Sequence, residues 1–336
     1  MCALQWKSLQ FGPSFYLGLL LLCNHLSPGL SKDPHPLLLI FAEGLSEVYL
    51  GEENREKLTG LREMAMRGVL ARGLMPVFPT LFYPNYYSLF TGQVDNLQGT
   101  AAMAAVYYDD VALAIHENKS PLALQRLRLD VNLVLVSDHG MMDIDFDEKV
   151  IELENYIPAH FIKKQMDKGA TVNLWTKDGH ENEVYQLLKD LSNMTVFKRN
   201  EVPERFHYGG GRFVSPLTLL ANEGWFITWN RAALPHWKNG GDGSLAPNRG
   251  CDGYDNALLS MQAVLLASGP DFKQSYIAPP LHAVDVYPLL CNLTGVSPLP
   301  HNGSWEKVNL LLSSSFGTRT SSWLMFWAMG VWMCLT

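Results

Sequence analysis

"NLVLVSDHGMMD", residues Asn132 to Asp143, carries the strongest fold signal in this chain. Its first half is a run of aliphatic residues, which is the pattern of a buried parallel strand. The run ends abruptly in Asp138 and His139, two side chains that bind metal ions well. Two interpretations stay open at this point: half of a metal site, or a polar strand end in which Asp138 caps a turn and His139 hydrogen-bonds a carbonyl group.

Similar elements lie on both sides of this stretch. "HPLLLIFAEG", residues 35–44, is a second short apolar run that is stopped by Gly44. The remaining patterns predict helices over 52–73, 181–193 and 283–295, a helix-rich connection over 150–169, and strands over 170–179 and within 256–272. This alternation predicts an α/β fold with a mostly parallel central sheet flanked by helices. In such sheets the chemistry collects at the carboxyl ends of the strands.

Composition sets the protein class. The chain has 336 residues, of which 47% are hydrophobic, so it can bury a substantial core and is not a disordered protein. Its formal net charge is −7, and it contains no run of Lys and Arg. Nucleic-acid binding depends on neutralising phosphates with basic residues, so a nucleic-acid partner is excluded.

The sequences at the two ends of the chain predict where the protein is located. Residues 1–31 combine a lysine, an apolar stretch and a small-residue segment, which is the layout of a secretory signal peptide. Residues 313–336 begin with small residues and end in a short apolar tail, which is the layout of a GPI-type lipid-anchor signal with its attachment site among Ser313 to Gly317. The alternative for the tail is a buried C-terminal helix. We therefore expect a domain over 32–312, secreted or anchored to the outer leaflet at the extracellular face of the plasma membrane.

The cysteines and the N-glycosylation motifs give weak support to the predicted secretion. Outside the two predicted signals only Cys251 and Cys291 remain, and they either pair or stay free. Sequons at Asn193, Asn292 and Asn302 predict N-linked glycosylation.

Four motifs carry a family resemblance. "FPTLFYPNYYSLFTG" (78–92), "SDHGM" (137–141), "GYDN" (253–256) and "GPDF" (269–272) occur in the order seen in the nucleotide pyrophosphatase/phosphodiesterase family of the alkaline phosphatase superfamily. The chain most resembles the branch that releases phosphocholine from glycerophosphocholine and lysophosphatidylcholine. The resemblance implies an alkaline-phosphatase-like fold in which part of the middle is deleted, because only 44 residues separate Gly92 from Ser137.

The family uses two zinc ions and a hydroxyl nucleophile, and the resemblance places these roles on named residues. Asp138 and His139 match two ligands of the zinc that activates the nucleophile, and Glu43 stands where the family has an aspartate. Phe82 occupies the nucleophile position, and phenylalanine has no lone pair with which to attack phosphorus. Thr80 carries a hydroxyl group but lies two residues earlier.

The resemblance also places the second zinc and the substrate contacts. Ala112 replaces an aspartate ligand, His116 matches a histidine ligand, and Asp252 stands where the family has another histidine. Asn96 is the candidate for the asparagine that binds a phosphoryl oxygen. Tyr107 falls where choline-specific relatives hold the quaternary ammonium group by cation–π attraction.

Two hypotheses about function follow. In the first, the chain is a zinc-dependent phosphoric diester hydrolase of choline phospholipid catabolism, acting on choline phosphodiesters or lysophospholipids. In the second, it is an inactive pseudoenzyme that binds a choline head group or a protein partner at the membrane surface. The shortened middle has two explanations, a degenerate paralogue or a missing exon. Phe82, Glu43 and Asp252 lie in well-matched stretches away from the gap, which favours real substitution at these positions.

Overall fold

The computed structural model describes residues 35, 37–51, 58–94, 131–211, 213–235 and 250–313. Of the strands Gln5–Gln10, Tyr16–Leu22, His236–Lys238 and Leu245–Pro247 it describes the backbone. Within these ranges strands and helices alternate, which confirms the α/β class. No helix of the described part is long and apolar enough to cross a bilayer.

The strands and helices are numbered along the chain. The strands are β1 (Gln5–Gln10), β2 (Tyr16–Leu22), β3 (Leu37–Ala42), β4 (Val69–Ala71), β5 (Leu74–Met75), β6 (Asn132–Ser137), β7 (Met142–Asp143), β8 (Val150–Glu152), β9 (Ile162–Met166), β10 (Thr171–Thr176), β11 (Met194–Lys198), β12 (Leu217–Ala221), β13 (Phe226–Thr228), β14 (His236–Lys238), β15 (Leu245–Pro247), β16 (Gly250–Cys251), β17 (Leu265–Ser268), β18 (Tyr276–Ala278) and β19 (Leu281–His282). The helices are α1 (Thr59–Arg67), α2 (Phe82–Thr91), α3 (Glu181–Leu188), α4 (Val286–Thr294) and α5 (Trp305–Asn309).

The main sheet has the strand order β1-β2-β3-β6-β17-β4-β18. Only β3 with β6 and β4 with β18 pair in parallel, while the other four neighbouring pairs are antiparallel. The expected mostly parallel sheet is therefore corrected to a mixed one. Direction was not visible in the sequence, because β17 is buried on both faces like a parallel strand although it runs antiparallel between β6 and β4.

Two strands of this sheet lie inside the predicted signal peptide. β2 pairs antiparallel with β3 over six residues, from Leu17 opposite Ala42 to Leu22 opposite Leu37, and β1 pairs with β2. The structure therefore places residues 5–10 and 16–22 at the outer edge of the sheet. Removal of this segment as a signal peptide stays a prediction.

The core lies on both faces of the main sheet. One face, with Leu37, Leu39 and Phe41 of β3, packs in the same cluster as Leu289 of α4. The opposite face of β3 packs in the cluster that contains Met64, the buried residue of α1. All six residues of β3 are buried, which explains why its sequence is a continuous apolar run.

Two helix predictions were wrong in part or in full. The helix expected over 52–73 is α1, which ends before Gly68, and residues 69–71 form β4. A Cβ atom at Gly68 would lie 2.0 Å from the carbonyl oxygen of Ala267, so only glycine allows this close approach of the chain to β17. The helix-rich connection over 150–169 contains β8 and β9 with short 3-10 turns between them. Pro158 interrupts this segment and disfavours a continuous helix.

A second sheet forms the other half of the core. Its strands pair antiparallel in the order β11-β12-β10-β9, and Val184 and Leu188 of α3 are buried in its core cluster. The predictions of β10 and α3 are confirmed. Cys251 and Cys291 are both free and buried, so of the two alternatives for these cysteines the structure shows the unpaired one.

Asn85 fixes the start of α2, the helix that begins at Phe82. Its side-chain oxygen accepts a hydrogen bond of 2.6 Å from the Val77 amide. Its side-chain nitrogen lies 3.2 Å from the carbonyl oxygens of Val77 and Pro79 and 3.0 Å from that of Leu81. Asn85 is fully buried, so these bonds satisfy backbone groups that have no access to water.

We expect Asn85→Ala to lower the free energy of unfolding by about 3 kcal/mol, because the buried Val77 amide and several carbonyl groups lose their partner. Urea unfolding followed by circular dichroism measures this. Asn230→Ala is the control, since the Asn230 amide makes one exposed hydrogen bond, to Glu154, and its loss should cost under about 0.5 kcal/mol. Equal effects of the two variants would contradict a special role for Asn85.

Candidate functional site

The site lies where β3 and β6 end side by side. The two strands are parallel, and the register places Ala42 opposite Ser137. Glu43 and Asp138 are the next residues of each strand, so the pairing brings both carboxylates to the same edge of the sheet. This is the edge at which the sequence predicts Asp138, and the fold adds Glu43 beside it.

Asp138 is fully buried and held by backbone donors. Its Oδ1 accepts hydrogen bonds from the amide of Gly44 at 3.1 Å and from its neighbour His139 at 2.9 Å. Gly44 has a φ of +69°, which glycine adopts without strain. The turn after β3 therefore directs a backbone donor at the end of β6 and leaves Asp138 Oδ2 free for another partner.

That partner is His139, which is also fully buried. The His139 Nδ1 lies 2.7 Å from the carbonyl oxygen of Gly140, which can only accept, so Nδ1 carries a proton. The other ring nitrogen, Nε2, lies 3.3 Å from Asp138 Oδ2 and 3.2 Å from Asp252 Oδ2. If Nε2 carried no proton, its lone pair would face two carboxylate oxygens and would be repelled by them. The geometry therefore favours the imidazolium form.

The electrostatics of His139 agree with this geometry. Burial lowers the pKa of His139, but the carboxylates of Asp138 and Asp252 overcome that effect and the net pKa is raised. Burial also raises the pKa of Asp138, against the opposing effect of the His139 charge. The buried pair thus holds its proton more tightly than either side chain would in water.

Glu43 responds to the same cluster. Burial, followed by the charge of Asp138, raises the pKa of the Glu43 carboxyl to about 7, and Asp252 adds to the shift while His139 opposes it. Near neutral pH this side chain is therefore present in both protonated and ionised forms.

The residues present do not fit the two-zinc centre that the family resemblance implies. Asp138 Oδ2 and His139 Nε2 are buried without a hydrogen-bond partner, as ligand atoms would be, and their separation of 3.3 Å is one that two ligands of a single zinc ion also have. Across the described ranges, no group of three or more His, Cys, Asp and Glu side chains is placed to hold a metal ion. Glu43, Asp138, His139 and Asp252 therefore form a cluster of ionisable groups in which His139 lies at ion-pair distance from both aspartates.

Phe82 is the first residue of α2, at the position where the resemblance expects the nucleophile. Its ring stacks on Tyr86 with the ring centroids 5.4 Å apart, and meets Phe41 edge to face at 6.1 Å. Phe82 thus extends the hydrophobic core of the main sheet toward the site. The start of α2 is next to Asp252, because the amide of Gly253 donates to the carbonyl of Thr80 at 3.0 Å.

Thr80 does not replace the missing hydroxyl nucleophile. The side chain of Thr80 is fully buried, and its hydroxyl donates to the carbonyl oxygen of Tyr254 at 2.9 Å. The hydroxyl is therefore committed to a structural bond that joins the loop before α2 to the loop after Asp252.

Several predicted site residues lie outside the described residues: Asn96, Tyr107, Ala112 and His116. Their roles stay predictions. The aromatic residues near β13 belong to the core, since Phe226 is buried and Trp225 and Trp229 pack against the core of the second sheet.

The three predicted glycosylation sites differ in accessibility. Asn193 has a φ of +70° and lies in the turn before β11. Asn302 is exposed, and its Oδ1 accepts from the Val94 amide at 3.1 Å. Asn292 lies within α4, and its Oδ1 is buried without a hydrogen-bond partner. Glycosylation at these positions stays a prediction.

Sequence reasoning missed the residues that support the site. Asn85 lies inside the motif of residues 78–92, and the motif gives it no structural role. The only local signal is that Pro84 and several aromatic residues surround it, which is unusual for a helix start. At the opposite end of β6, Asn132 donates to Asp271 at 2.7 Å, and Asp271 contacts His35 at 2.9 Å. No spacing pattern connects these three positions, so only the fold reveals them.

Comparisons with known proteins agree with this architecture. Human ectonucleotide pyrophosphatase/phosphodiesterase family member 5 is 36% identical over 187 residues, covering 55% of this chain and 36% of that protein. Human bis(5'-adenosyl)-triphosphatase ENPP4 is 32% identical over 195 residues, covering 56% of this chain and 40% of that protein. The chain thus spans less than half of the length of these curated relatives. The solved structure of murine ENPP5 superposes with a TM-score of 0.66 at 25% identity, covering 82% of this chain and 99% of that chain.

The family model for "Type I phosphodiesterase / nucleotide pyrophosphatase" matches residues 37–100 and 120–244. These matched segments contain Glu43, Phe82, Asp138 and His139 and make up more than half of the chain. Kinship with the choline-specific branch stays a prediction. The chain belongs to the type I phosphodiesterase/nucleotide pyrophosphatase family.

Proposed function

We propose that this chain is a catalytically silent member of its family, held at the extracellular face of the plasma membrane by a lipid anchor. The observation that supports a lack of catalytic activity is the position of Phe82. An aromatic ring at the first turn of α2 is packed against Phe41 and Tyr86, where the family resemblance requires a hydroxyl group. Nucleophilic displacement at phosphorus requires a lone pair at this point, and Phe82 provides none.

The charge of the cluster supports the same proposal. Glu43, Asp138 and Asp252 carry carboxyl groups around the single imidazolium of His139. Without metal ions such a cluster repels a phosphodiester, because the ligand and the site are both negative. In the family's mechanism, zinc would supply the positive charge that holds the phosphoryl oxygens. The described residues do not form that centre.

The second candidate function is hydrolysis of choline phosphodiesters with zinc. It is favoured by the retained pair of Asp138 and His139 at the carboxyl end of β6. Under this candidate water would have to act as the nucleophile. Its ligands would be glycerophosphocholine or lysophosphatidylcholine, while the name of the relative ENPP4 adds bis(5'-adenosyl) triphosphate as a compound to assay. Under the silent proposal the ligand is a choline head group or a protein partner.

We expect no hydrolysis above background for the chain secreted from cells, because Phe82 cannot attack phosphorus. Glycerophosphocholine, lysophosphatidylcholine and bis(5'-adenosyl) triphosphate are incubated with the protein, and products are measured by mass spectrometry. Phe82→Ser is expected to stay at background too, because the described residues do not form the metal centre. A matched thermal unfolding curve shows that the variant is folded. Product release that a chelator abolishes would establish the hydrolase instead.

Metal content gives an independent result. We expect the folded protein to contain far less than one zinc ion per chain after gel filtration, and a chelator to leave its thermal midpoint unchanged, because His139 already pairs with Asp138 and Asp252. Elemental mass spectrometry of the monodisperse fraction measures the zinc. Two zinc ions per chain would refute the silent site and would make Glu43 and Asp252 working ligands.

The raised pKa of Glu43 makes the free energy of unfolding depend on pH. Its raised value of about 7, against 4.5 for the free side chain, means that ionisation of Glu43 destabilises the folded chain as pH rises from 4.5 to 7. Glu43→Gln removes this cost. We therefore expect the variant to exceed the unsubstituted chain in unfolding free energy by up to about 3 kcal/mol at pH 8, with the difference vanishing near pH 4.5.

Urea unfolding at several pH values in the presence of a chelator measures this difference. Glu148→Gln controls for the loss of one negative charge, since Glu148 lies on an exposed loop. If Glu43→Gln were instead less stable than the unsubstituted chain at pH 8, Glu43 would be engaged with a cation.

A further inference from the structure

An open cavity lies apart from the cluster of Asp138 and His139. Its volume is about 640 Å³, which is typical of a small-molecule site. Its wall includes Val94, which lies past the carboxyl end of α2, whereas the cluster lies beside the start of that helix at Phe82. The ten residues of α2 span about 15 Å. Among the described residues that line the cavity, none belongs to the cluster, so the cavity is a second candidate site.

Arg199 gives the wall of this cavity a positive charge. It follows β11 directly, its amide donates to the carbonyl oxygen of Pro216 at 3.0 Å, and its side chain is exposed. Nearby Arg205 is paired with Asp255, but within the described ranges the Arg199 guanidinium has no protein partner. A guanidinium carries five N–H donors in a fixed fork that matches the oxygens of a phosphate group. Arg199 is therefore available to a ligand.

His207 adds an imidazole to the same wall. The residues on both sides of it are buried and fixed. Phe206 stacks on Phe78 with the ring centroids 3.9 Å apart, and the hydroxyl of Tyr208 donates to Asn173 at 2.8 Å. His207 itself has a φ of +49° and is exposed, so the chain turns at this point and leaves the histidine at the wall of the cavity.

Further basic groups lie close to His207. Burial lowers the pKa of His282, and the charges of Lys307 and His207 lower it further, against the effect of Asp285. His207 is therefore part of a group of basic side chains, although the chain as a whole has a net charge of −7. Glu204 is the one carboxylate among the described residues of the wall.

Gly209 and Gly210 bring backbone amides to the wall. A Cβ atom at Gly209 would lie 2.7 Å from the carbonyl oxygen of Arg199, so glycine allows the two segments to approach closely. A Cβ atom at Gly210 would meet no atom within 4 Å, so open space lies beside this residue. In the described part of the chain neither amide donates to a protein acceptor. Unpaired amides next to an arginine are a common means of binding phosphate groups.

We propose that this cavity binds a small molecule that carries a phosphate monoester together with hydroxyl groups, as a phosphorylated sugar does. Arg199, His207 and the amides of residues 209 and 210 bind the phosphoryl group, which offers three oxygens where a carboxylate offers two. Glu204 accepts hydrogen bonds from the hydroxyl groups, and the side-chain amide of Asn200 donates to them. The proposal holds whether the cluster of Asp138 is silent or active.

Isothermal titration of the chain secreted from cells tests the ligand class, with glucose 6-phosphate as the probe. A chelator is present, so that a metal ion at Asp138 cannot bind the phosphate. Because Asn302 lines the cavity and is a predicted glycosylation site, an endoglycosidase first trims any glycan there to one sugar. We expect saturable binding of glucose 6-phosphate, binding of glucuronate at least about tenfold weaker, and no binding of glucose. Absence of saturable binding, or equal affinity for glucose or glucuronate, would overturn the proposal.

Two variants test the location. Arg199→Ala removes the guanidinium, and we expect at least about tenfold weaker binding because charge-assisted hydrogen bonds to the phosphate are lost. Gly210→Leu puts a side chain into the open space and is expected to weaken binding with no loss of stability in thermal unfolding.

Arg62→Ala is the matched control, since Arg62 is exposed on α1, and it should leave the affinity unchanged. If Arg199→Ala bound glucose 6-phosphate as tightly as the unsubstituted chain, or if Arg62→Ala weakened binding equally, the ligand would bind elsewhere and the proposal would be wrong.

Discussion

The parallel pairing of β3 with β6 is the constraint on which the rest of the site depends. It fixes Ala42 opposite Ser137, so the residue after each strand lies at the same edge of the sheet. Because side chains alternate along a strand, the register also sets the face to which each residue points. A shift of one residue would separate Glu43 from Asp138 and would exchange the side chains that β3 presents to the two core clusters. The amide of Gly44, bound to Asp138 Oδ1, joins the two strand ends directly.

Sequence reasoning identified both strands, because each is a short continuous apolar run, but their pairing and its register are known only from the fold. An apolar run does not show whether a strand is parallel or antiparallel to its neighbours. The antiparallel pairing of β17 with β6 therefore could not be predicted. Sequence reasoning also failed over residues 150–169, where the pairing of β9 with β10 overrides the local helical appearance. Asp138 and His139 were found by their position after a strand. The contact between His139 and Asp252 joins residues more than a hundred positions apart, and no local pattern predicts it.

The proposed loss of catalysis would require few changes, because the site is an arrangement of charges at a sheet edge and most of the core lies away from it. Phe82 gains contacts with Phe41 and Tyr86, so the replacement of a hydroxyl group by an aromatic ring stabilises the start of α2. His139, paired with two carboxylates, provides inside the protein the positive charge that a metal would bring. Asn85 fixes the helix start by accepting from the Val77 amide, so the proposed loss of catalysis leaves this support of the site in place.

The position of β2 beside β3 has a consequence for how the chain matures. The backbone groups along the outer side of β3 are satisfied by Tyr16–Leu22, the apolar segment that the secretory machinery would recognise as a leader. One segment cannot serve both purposes in the same molecule. Removal of residues 1–31 as the predicted signal peptide would leave the six residues of β3 without a strand partner along one edge, and those backbone groups would need another partner.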